Sequence, residues 1–247
     1  MPGLTVTVIT LNESANLEAA LESVKWADEI LVVDSHSTDD TVAIARQFTD
    51  RVIARDWHGY IAQKNFAASE ARHDWILSLD ADERVTPELA AEIRALLAGD
   101  PACAGYRVPR LSWYLGRWIR GTDWYPDYQL RLYDRRLARW TGRYVHESVA
   151  ADGAVGRLKA DLLHYTYRDV SHHLQTIDRY TSLWARQAYE DGRRARLRHL
   201  LLSPPAAFLR NYIARGGFRI GSAGLIVSLL NSYYVLLKHV KLWELGH

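Results

Sequence analysis

The residues best suited to chemistry lie in one acidic turn, Leu77-Ser78-Leu79-Asp80-Ala81-Asp82-Glu83. Asp80 and Asp82 stand one residue apart just past an apolar run, and such a turn sends alternate side chains to the same side. Two carboxylates so placed can share a hard divalent cation that also holds the phosphates of a nucleotide. Alone, a D-x-D turn reads more simply as a solvated helix-capping turn, and its weight comes from its company. Thr10-Leu11-Asn12-Glu13-Ser14 lacks the glycines of a phosphate-binding loop, so Thr10, Asn12 and Glu13 offer donors and acceptors for a base edge instead. Asp34 can accept from a base or a ribose, while Asp39 and Asp40 read as helix caps. Gln63-Lys64-Asn65 supplies a cation and amides that can face the nucleotide.

These residues need elements to position them. Leu4 to Ile9, Glu29 to Asp34, Arg51 to Ala54 and Trp75 to Asp80 are short, apolar and β-branched, and between them Asn16 to Val24, Thr41 to Phe48 and Tyr60 to Ala71 have helical period. That alternation predicts βαβ units with a parallel sheet. Pro87 to Ala98 predicts a further helix, with Thr86 as its cap, Pro87 in its first turn and Gly99 at its end. Asp34 and Asp80 each close a strand, and in an open α/β sheet ligands bind beyond the carboxyl ends of strands. From Ala104 to Tyr167 the texture becomes aromatic-rich with short β-like runs, an antiparallel extension of the sheet. The tryptophans and tyrosines at 113, 114, 118, 124, 125 and 128 can line a sugar cleft or fill an ordinary core.

From Val170 onward the chain is helical by period; His172 and His173 open that segment and need no special role. Eight arginines between Arg186 and Arg219 face only Glu190 and Asp191, a local charge of +6, and the apolar run from Gly224 to Trp243 follows. Its uninterrupted part is short for a span, so a helix lying in an anionic membrane interface is the expectation, with packing on protein or self-association into a homo-oligomer as alternatives. The chain as a whole carries 31 basic and 29 acidic residues, which excludes a nucleic-acid binder on charge, and its single Cys103 excludes a disulfide framework and a cysteine zinc cluster. The N-terminal run reads as a first strand rather than a signal peptide, so a cytoplasmic protein, peripheral on the inner face of the cell membrane, is expected.

Taken in order, Thr10-Leu11-Asn12-Glu13, Asp34-Ser35-His36-Ser37-Thr38-Asp39, Gln63-Lys64-Asn65 and Leu79-Asp80-Ala81-Asp82-Glu83 resemble the nucleotide-sugar half of a family 2 glycosyltransferase. The fold this implies is α/β: the GT-A, Rossmann-like nucleotide-diphospho-sugar transferase fold, here with a C-terminal helical membrane-associating segment. Expected domains are 1–168, catalytic, with a nucleotide-sugar half (1–100) and an acceptor half (101–168), and 169–247, helical and basic. Trp124 to Arg135 and Tyr144 to Ser148, with the basic C-terminus, resemble the WaaE-like lipopolysaccharide core glucosyltransferases. This implies inverting transfer of a sugar, glucose from UDP-glucose, to a lipid-linked acceptor such as an inner-core heptose, with Mg²⁺ or Mn²⁺ as cofactor. The resemblance carries nucleotide contacts onto Thr10, Asn12, Glu13, Asp34, Lys64, Asp80 and Ala81, and metal ligation onto Asp82. His164, after an apolar run, can complete the metal's coordination, though a histidine there also serves as a structural residue.

Inverting transfer needs a carboxylate to take the acceptor's proton. Asp127, presented by a loop that Pro126 stiffens, is the first choice and Glu147 the second; the plain alternative for Asp127 is an ion pair with Arg131. Gln129-Leu130-Arg131-Leu132 falls short of the Q-x-x-R-W motif of processive members, and no bundle of membrane helices follows, which argues against a polymerising synthase. A nucleotidylyltransferase would need a glycine-rich basic loop where Thr10 to Ser14 stand. A noncatalytic, membrane-associated sugar-nucleotide-binding module is the remaining alternative.

Overall fold

The computed structural model describes residues 2–142 and 147–246. They form two compact units: one holds the chain up to Arg110 together with Tyr128–Gly142 and Glu147–His164, the other Leu111–Asp127 and the chain from Tyr165 onward. The expected linear division at residue 168 does not contain this grouping, because residues 111–127 cluster with the C-terminal helices. Asp123 is one reason. Its carboxylate accepts from Arg210 and, at 3.0 Å, from Asn211, while its backbone N–H donates to Asn211 Oδ1 at 2.8 Å.

In the first unit, β1 (Leu4–Thr10), β2 (Glu29–Asp34), β3 (Val52–Ala54) and β4 (Trp75–Asp80) pair in parallel in the order β3-β2-β1-β4. Buried on both faces, β1 and β2 are near-continuous apolar runs, as parallel strands are. The sheet continues through strands of mixed direction: β5 (Glu83–Val85), β6 (Gly105–Tyr114, its last four residues in the second unit), β8 (Asp127–Asp134) and β12 (Leu162–His164), in the overall order β3-β2-β1-β4-β8-β6-β12-β5. Between β6 and β8 runs β7 (Arg117–Trp118), a short partner of the end of β6. β9 (Ala138–Thr141) and β10 (Ser148–Ala151) make a separate antiparallel pair, and β11 (Val155–Arg157) adds to β6. Helices α1 (Leu17–Glu22), α2 (Thr41–Ala45), α3 (Tyr60–Glu70) and α4 (Pro87–Ala98) complete this unit.

α2 stops at Ala45, three residues before the expected end at Phe48, and its cap position, Asp40, makes no side-chain cap. Asp39 takes the hydrogen bonds instead, accepting from Thr41 N–H at 3.1 Å and Ser14 N–H at 3.1 Å. α4 starts as expected, with Thr86 Oγ1 accepting from Leu89 N–H at 3.1 Å and Pro87 in the first turn. Leu17, Leu21, Leu89 and Ile93 pack with Val6, Val8 and Leu79 on one face of the sheet, while Ala68, Ile76, Tyr133 and Trp140 form a second cluster.

The second unit is built on α5 (Val170–Glu190), α6 (Leu197–Leu209) and α7 (Ser222–Glu244), with a π-helical turn over Arg210–Ala214. Gly221 caps the start of α7, and its φ of 69° suits glycine. It then passes so close to Gly217 that a Cβ on Gly224 would lie 1.9 Å from the Gly217 carbonyl oxygen. Lys241 Nζ pins the far end of α7 to α5 through Asp178 Oδ1, Thr181 Oγ1 and Ser182 Oγ at 2.7–2.8 Å. α7 is also the one helix among the described residues that is long and apolar enough to cross a membrane by length and composition.

Candidate active site

The first unit gathers its polar residues at the carboxyl ends of β1, β2 and β4. Thr10 and Asp34 are register partners across β1 and β2, and Thr10 Oγ1 donates to Asp34 Oδ1 at 2.8 Å. Asp34 also accepts from Ser37 Oγ at 2.6 Å and Ser37 N–H at 2.8 Å, and Ser37 Oγ accepts from Asn12 N–H at 2.8 Å. Asn12 Oδ1 accepts from Thr38 N–H at 2.8 Å, with Asn12 in the left-handed region at φ 55°, which asparagine tolerates. Thr10, Asn12 and Asp34 therefore stitch two loops into one floor. Glu13 donates its N–H to Thr41 Oγ1 at 2.8 Å. Its carboxyl is pushed up by burial and by the charges of Asp82, Asp39 and Asp80, although a bond from Asn16 opposes this.

α3 supplies the other wall. Gln63, Lys64 and Asn65 point about 100° apart around the helix, and each meets a different element. Gln63 Nε2 donates to Ser35 Oγ at 2.9 Å, Lys64 Nζ to Asp80 Oδ1 at 2.8 Å, and Asn65 Nδ2 to the Trp140 carbonyl at 2.9 Å. Lys64 is buried, with its ammonium 4.2 Å from the centre of the Trp140 ring, a cation–π distance.

Asp80 and Asp82 go separate ways. The second oxygen of Asp80 accepts from Arg131, whose Nη2 also donates to Glu83 Oε1 at 2.6 Å. Glu83 is fully buried; its Oε1 lies 3.4 Å from Arg110 and its Oε2 accepts from Asp80 N–H at 3.0 Å. Burial pushes the Asp80 carboxyl up, but Arg131 and Lys64 outweigh it and hold the group well below the usual carboxylate range. Asp82 turns instead to His164, with Oδ2 and Nε2 3.3 Å apart and the two side chains 31% and 13% exposed. The pairing of β5 with β12, in register at Glu83 and His164, brings them together.

A carboxylate and an imidazole this close form a mixed oxygen and nitrogen donor pair, which suits Mn²⁺ better than the oxygen-preferring Mg²⁺ when phosphates and water fill the other positions. The donor set thus fits a divalent cation. Among the described residues there is no cluster of three or more such groups. Each Asp80 oxygen already faces a cation, Lys64 on one side and Arg131 on the other, whereas Asp82 faces His164.

Glu147 is half-buried in the same unit, and its carboxyl is raised: burial pushes it up, Lys64 opposes, Asp80 adds, Arg131 opposes. Val145 and His146, which precede it in the motif, lie outside the described residues. Asp127 opens β8 and belongs to the second unit. Arg131, its expected partner, is bound to Asp80 and Glu83. Arg110 and Trp140 escaped the sequence reading, and Glu83 stood out there only as the end of the acidic turn, with no role of its own. The signal for Arg131 itself was faint, an arginine between Leu130 and Leu132 in an apolar strand.

A parallel half-sheet ending in an acidic turn, extended by antiparallel strands that bring a histidine back to that turn, is the GT-A glycosyltransferase fold. Solved structures share it over nearly the whole chain. A mannosyltransferase from Pyrobaculum calidifontis, determined with GDP-mannose and Mn²⁺, aligns with a TM-score of 0.58 at 16% identity over 98% of this chain and 88% of its own. TarS of S. aureus (residues 1–349), with UDP-GlcNAc, aligns with a TM-score of 0.52 at 13% identity over 98% and 89%. The chain belongs to glycosyl transferase family 2, whose profile matches residues 5–163. Among curated relatives, the lipopolysaccharide core biosynthesis glycosyltransferase LpsC of Rhizobium meliloti is 32% identical over 98% of this chain and 92% of its own length. A glycosyltransferase of Rickettsia typhi is 30% identical over 100% and 88%.

Proposed function

We propose that this glycosyltransferase moves glucose from UDP-glucose, with inversion, to a lipid-linked saccharide of the lipopolysaccharide core type, such as an inner-core heptose. The single observation that carries the reading is the Asp82–His164 pair beside the Lys64–Asp80–Arg131 network, at the strand ends where α/β sheets bind ligands. The kinship with LpsC over nearly its whole length supports the acceptor class.

Asp82 and His164 would hold a divalent cation, whose chemistry is to neutralise the charge that builds on the leaving diphosphate. Thr10, Asn12, Glu13, Asp34 and the Asp80–Ala81 backbone form the floor on which the nucleoside rests. Lys64 and Arg131 hold Asp80, and with it the turn that bears Asp82. As the acceptor oxygen bonds to the anomeric carbon, the bond from that carbon to the diphosphate oxygen breaks, and a carboxylate takes the acceptor's proton. Glu147 suits that role, because its raised carboxyl lies in the field of Asp80 and Lys64. Asp127 is the competing base.

The second unit supports peripheral attachment to the inner face of an anionic membrane. Leu197, Leu201 and Leu202 on α6 are 67%, 62% and 66% exposed, amid Arg193, Arg194, Arg196 and Arg198. Apolar area and clustered basic charge together are what surface docking requires, at about 1 kcal/mol per basic residue near an anionic leaflet.

The test is a screen of UDP-, GDP- and dTDP-sugars for donor hydrolysis and for transfer to core oligosaccharide, with and without Mg²⁺ or Mn²⁺. Metal-dependent turnover of UDP-glucose, lost in Asp82→Ala, is expected. Turnover of another donor alone, or Asp82→Ala with wild-type metal response, refutes the corresponding part of the proposal.

A further inference from the structure

The second unit contains a cavity of about 290 Å³ between α5, α7 and the segment that leads into β8. Its aromatic wall is held in place. Tyr167 and His173 stack with centroids 4.1 Å apart and planes 11° apart, and His173 Nδ1 lies 3.1 Å from the Tyr114 hydroxyl. Trp124 meets both rings obliquely, 5.9 Å from Tyr167 at 54° and 5.5 Å from His173 at 60°. Trp124 is fixed in turn by its neighbour Asp123, which is bound to Arg210 and Asn211. His173 opens its helix, as expected from the sequence, but it is buried and forms part of this wall.

The rest of the lining is polar as well as aliphatic. The hydroxyls of Tyr180 and Tyr234 have no hydrogen-bond partner among the described residues. Thr176 Oγ1 donates to the His172 carbonyl at 2.9 Å and keeps its lone pairs as acceptors. The Asn231 amide nitrogen reaches Asp123 Oδ2 only at 3.5 Å, which leaves its oxygen to accept.

We infer that this cavity is a saccharide site that takes one pyranose ring of the acceptor. The inference rests on the reading of the chain as a transferase to a saccharide. Three observations select the ligand class. The volume sits at the lower end of the range for ligand pockets, about 300–1,000 Å³, which suits a single sugar ring. A hydrocarbon chain would leave the Tyr180, Tyr234 and Asn231 polar atoms without partners, a cost that a ring bearing hydroxyls avoids. The walls meet at 54–60° rather than in parallel, so they match the puckered C–H faces of a pyranose better than a flat base. The site is one short step along the chain from Asp127, since Trp124 is three residues before it.

Saturation-transfer NMR on the full chain tests this, with methyl α-D-mannopyranoside, methyl α-D-glucopyranoside, uridine, farnesyl phosphate and UDP-glucose as separate probes. The expected result is transfer to at least one methyl pyranoside, weakened at least fivefold in Tyr180→Phe/Tyr234→Phe and abolished in Thr176→Trp, which fills the cavity. Circular dichroism establishes that both variants are folded, and the phenylalanine pair decides the matter if the tryptophan variant is not. No pyranoside signal, a signal equal in wild type and variants, or variant-sensitive transfer only to uridine or farnesyl phosphate overturns the inference. UDP-glucose signal without pyranoside signal removes this site and leaves the proposed donor chemistry standing. Pyranoside signal lost in the variants, with no signal from UDP-glucose, removes the proposed donor and leaves this site standing.

Discussion

The two units treat their polar groups in opposite ways. In the first, nearly every candidate site residue is bound to another: Thr10 to Asp34, Asn12 to Thr38, Lys64 to Asp80, Arg131 to Asp80 and Glu83. In the second, exposed leucines on α6 follow a run of exposed arginines that ends in Arg198, and the Tyr180 and Tyr234 phenols face a cavity without hydrogen-bond partners among the described residues. Rigidity is concentrated in the unit that holds the candidate site. A turn that must hold a diphosphate and a reacting carbon in place gains from being built before the substrate arrives. If the second unit docks as proposed, groups still seeking contacts favour it.

Breaking the first unit's network should have the largest effect. Arg131→Leu leaves Asp80 and the fully buried Glu83 without their shared guanidinium, and should cost about 3–5 kcal/mol in denaturant unfolding, the usual loss when one partner of a buried ion pair is removed. A loss under 1 kcal/mol would mean that water or Arg110 replaces Arg131 easily. Next comes the choice of base. Glu147→Gln should lower transfer by about 10²-fold or more, with donor binding retained, and should remove an acid limb in the pH–rate profile that lies above the ordinary glutamate range. Near-normal transfer in Glu147→Gln with a dead Asp127→Asn would move the role across to the second unit.

Titration separates the two units as well. His173 is buried, and burial together with the charge of His172 lowers its pKa to about 4 from the ordinary 6.5. Its folded pKa lies below its unfolded one, so its neutral form contributes fully above pH 6.5, and stability is lost as pH falls from 6.5 towards 4. The whole loss approaches about 3 kcal/mol. His173→Gln should flatten that part of the stability profile, read by thermal unfolding from pH 7 to pH 4. Equal profiles would show that His173 gains protons as freely folded as unfolded. The smallest effect is at the surface: Leu201→Gln/Leu202→Gln should weaken co-sedimentation with anionic vesicles about tenfold without shifting the salt dependence that the arginines set. Unchanged sedimentation would transfer the docking face to α7, and concentration-dependent dimers broken by the same pair would assign it to self-association.

How much of this was legible in the residues follows from how far apart the partners sit. β1, β2 and β4, and the start of α4, were readable because β-branched runs and a Thr-Pro pair act locally. Asp82 and Lys64 were readable from their place after strands and their company. Arg131 with Glu83 was not, since 48 residues separate them and only the sheet order makes them neighbours. The grouping of residues 111–127 with the C-terminal helices was hidden for the same reason, as Asp123 finds its partners 87 and 88 residues further on.

Because Gln63, Lys64 and Asn65 contact three elements in three directions, α3 acts as a key with three teeth, and the feature that matters is its phase. One residue inserted between Tyr60 and Gln63 and absorbed inside the helix would turn the teeth by about 100° and disengage all three at once. The same residue added between Arg55 and Gly59, where the chain has no regular structure, only lengthens a connection. Diversity in length among sheet-to-helix connections should therefore collect between Arg55 and Gly59 and be barred after Tyr60, so a library of grafted loops can vary residues 56–58 while Arg55, bonded to Asp34 and Ala62, and Gly59, at φ 94°, are kept.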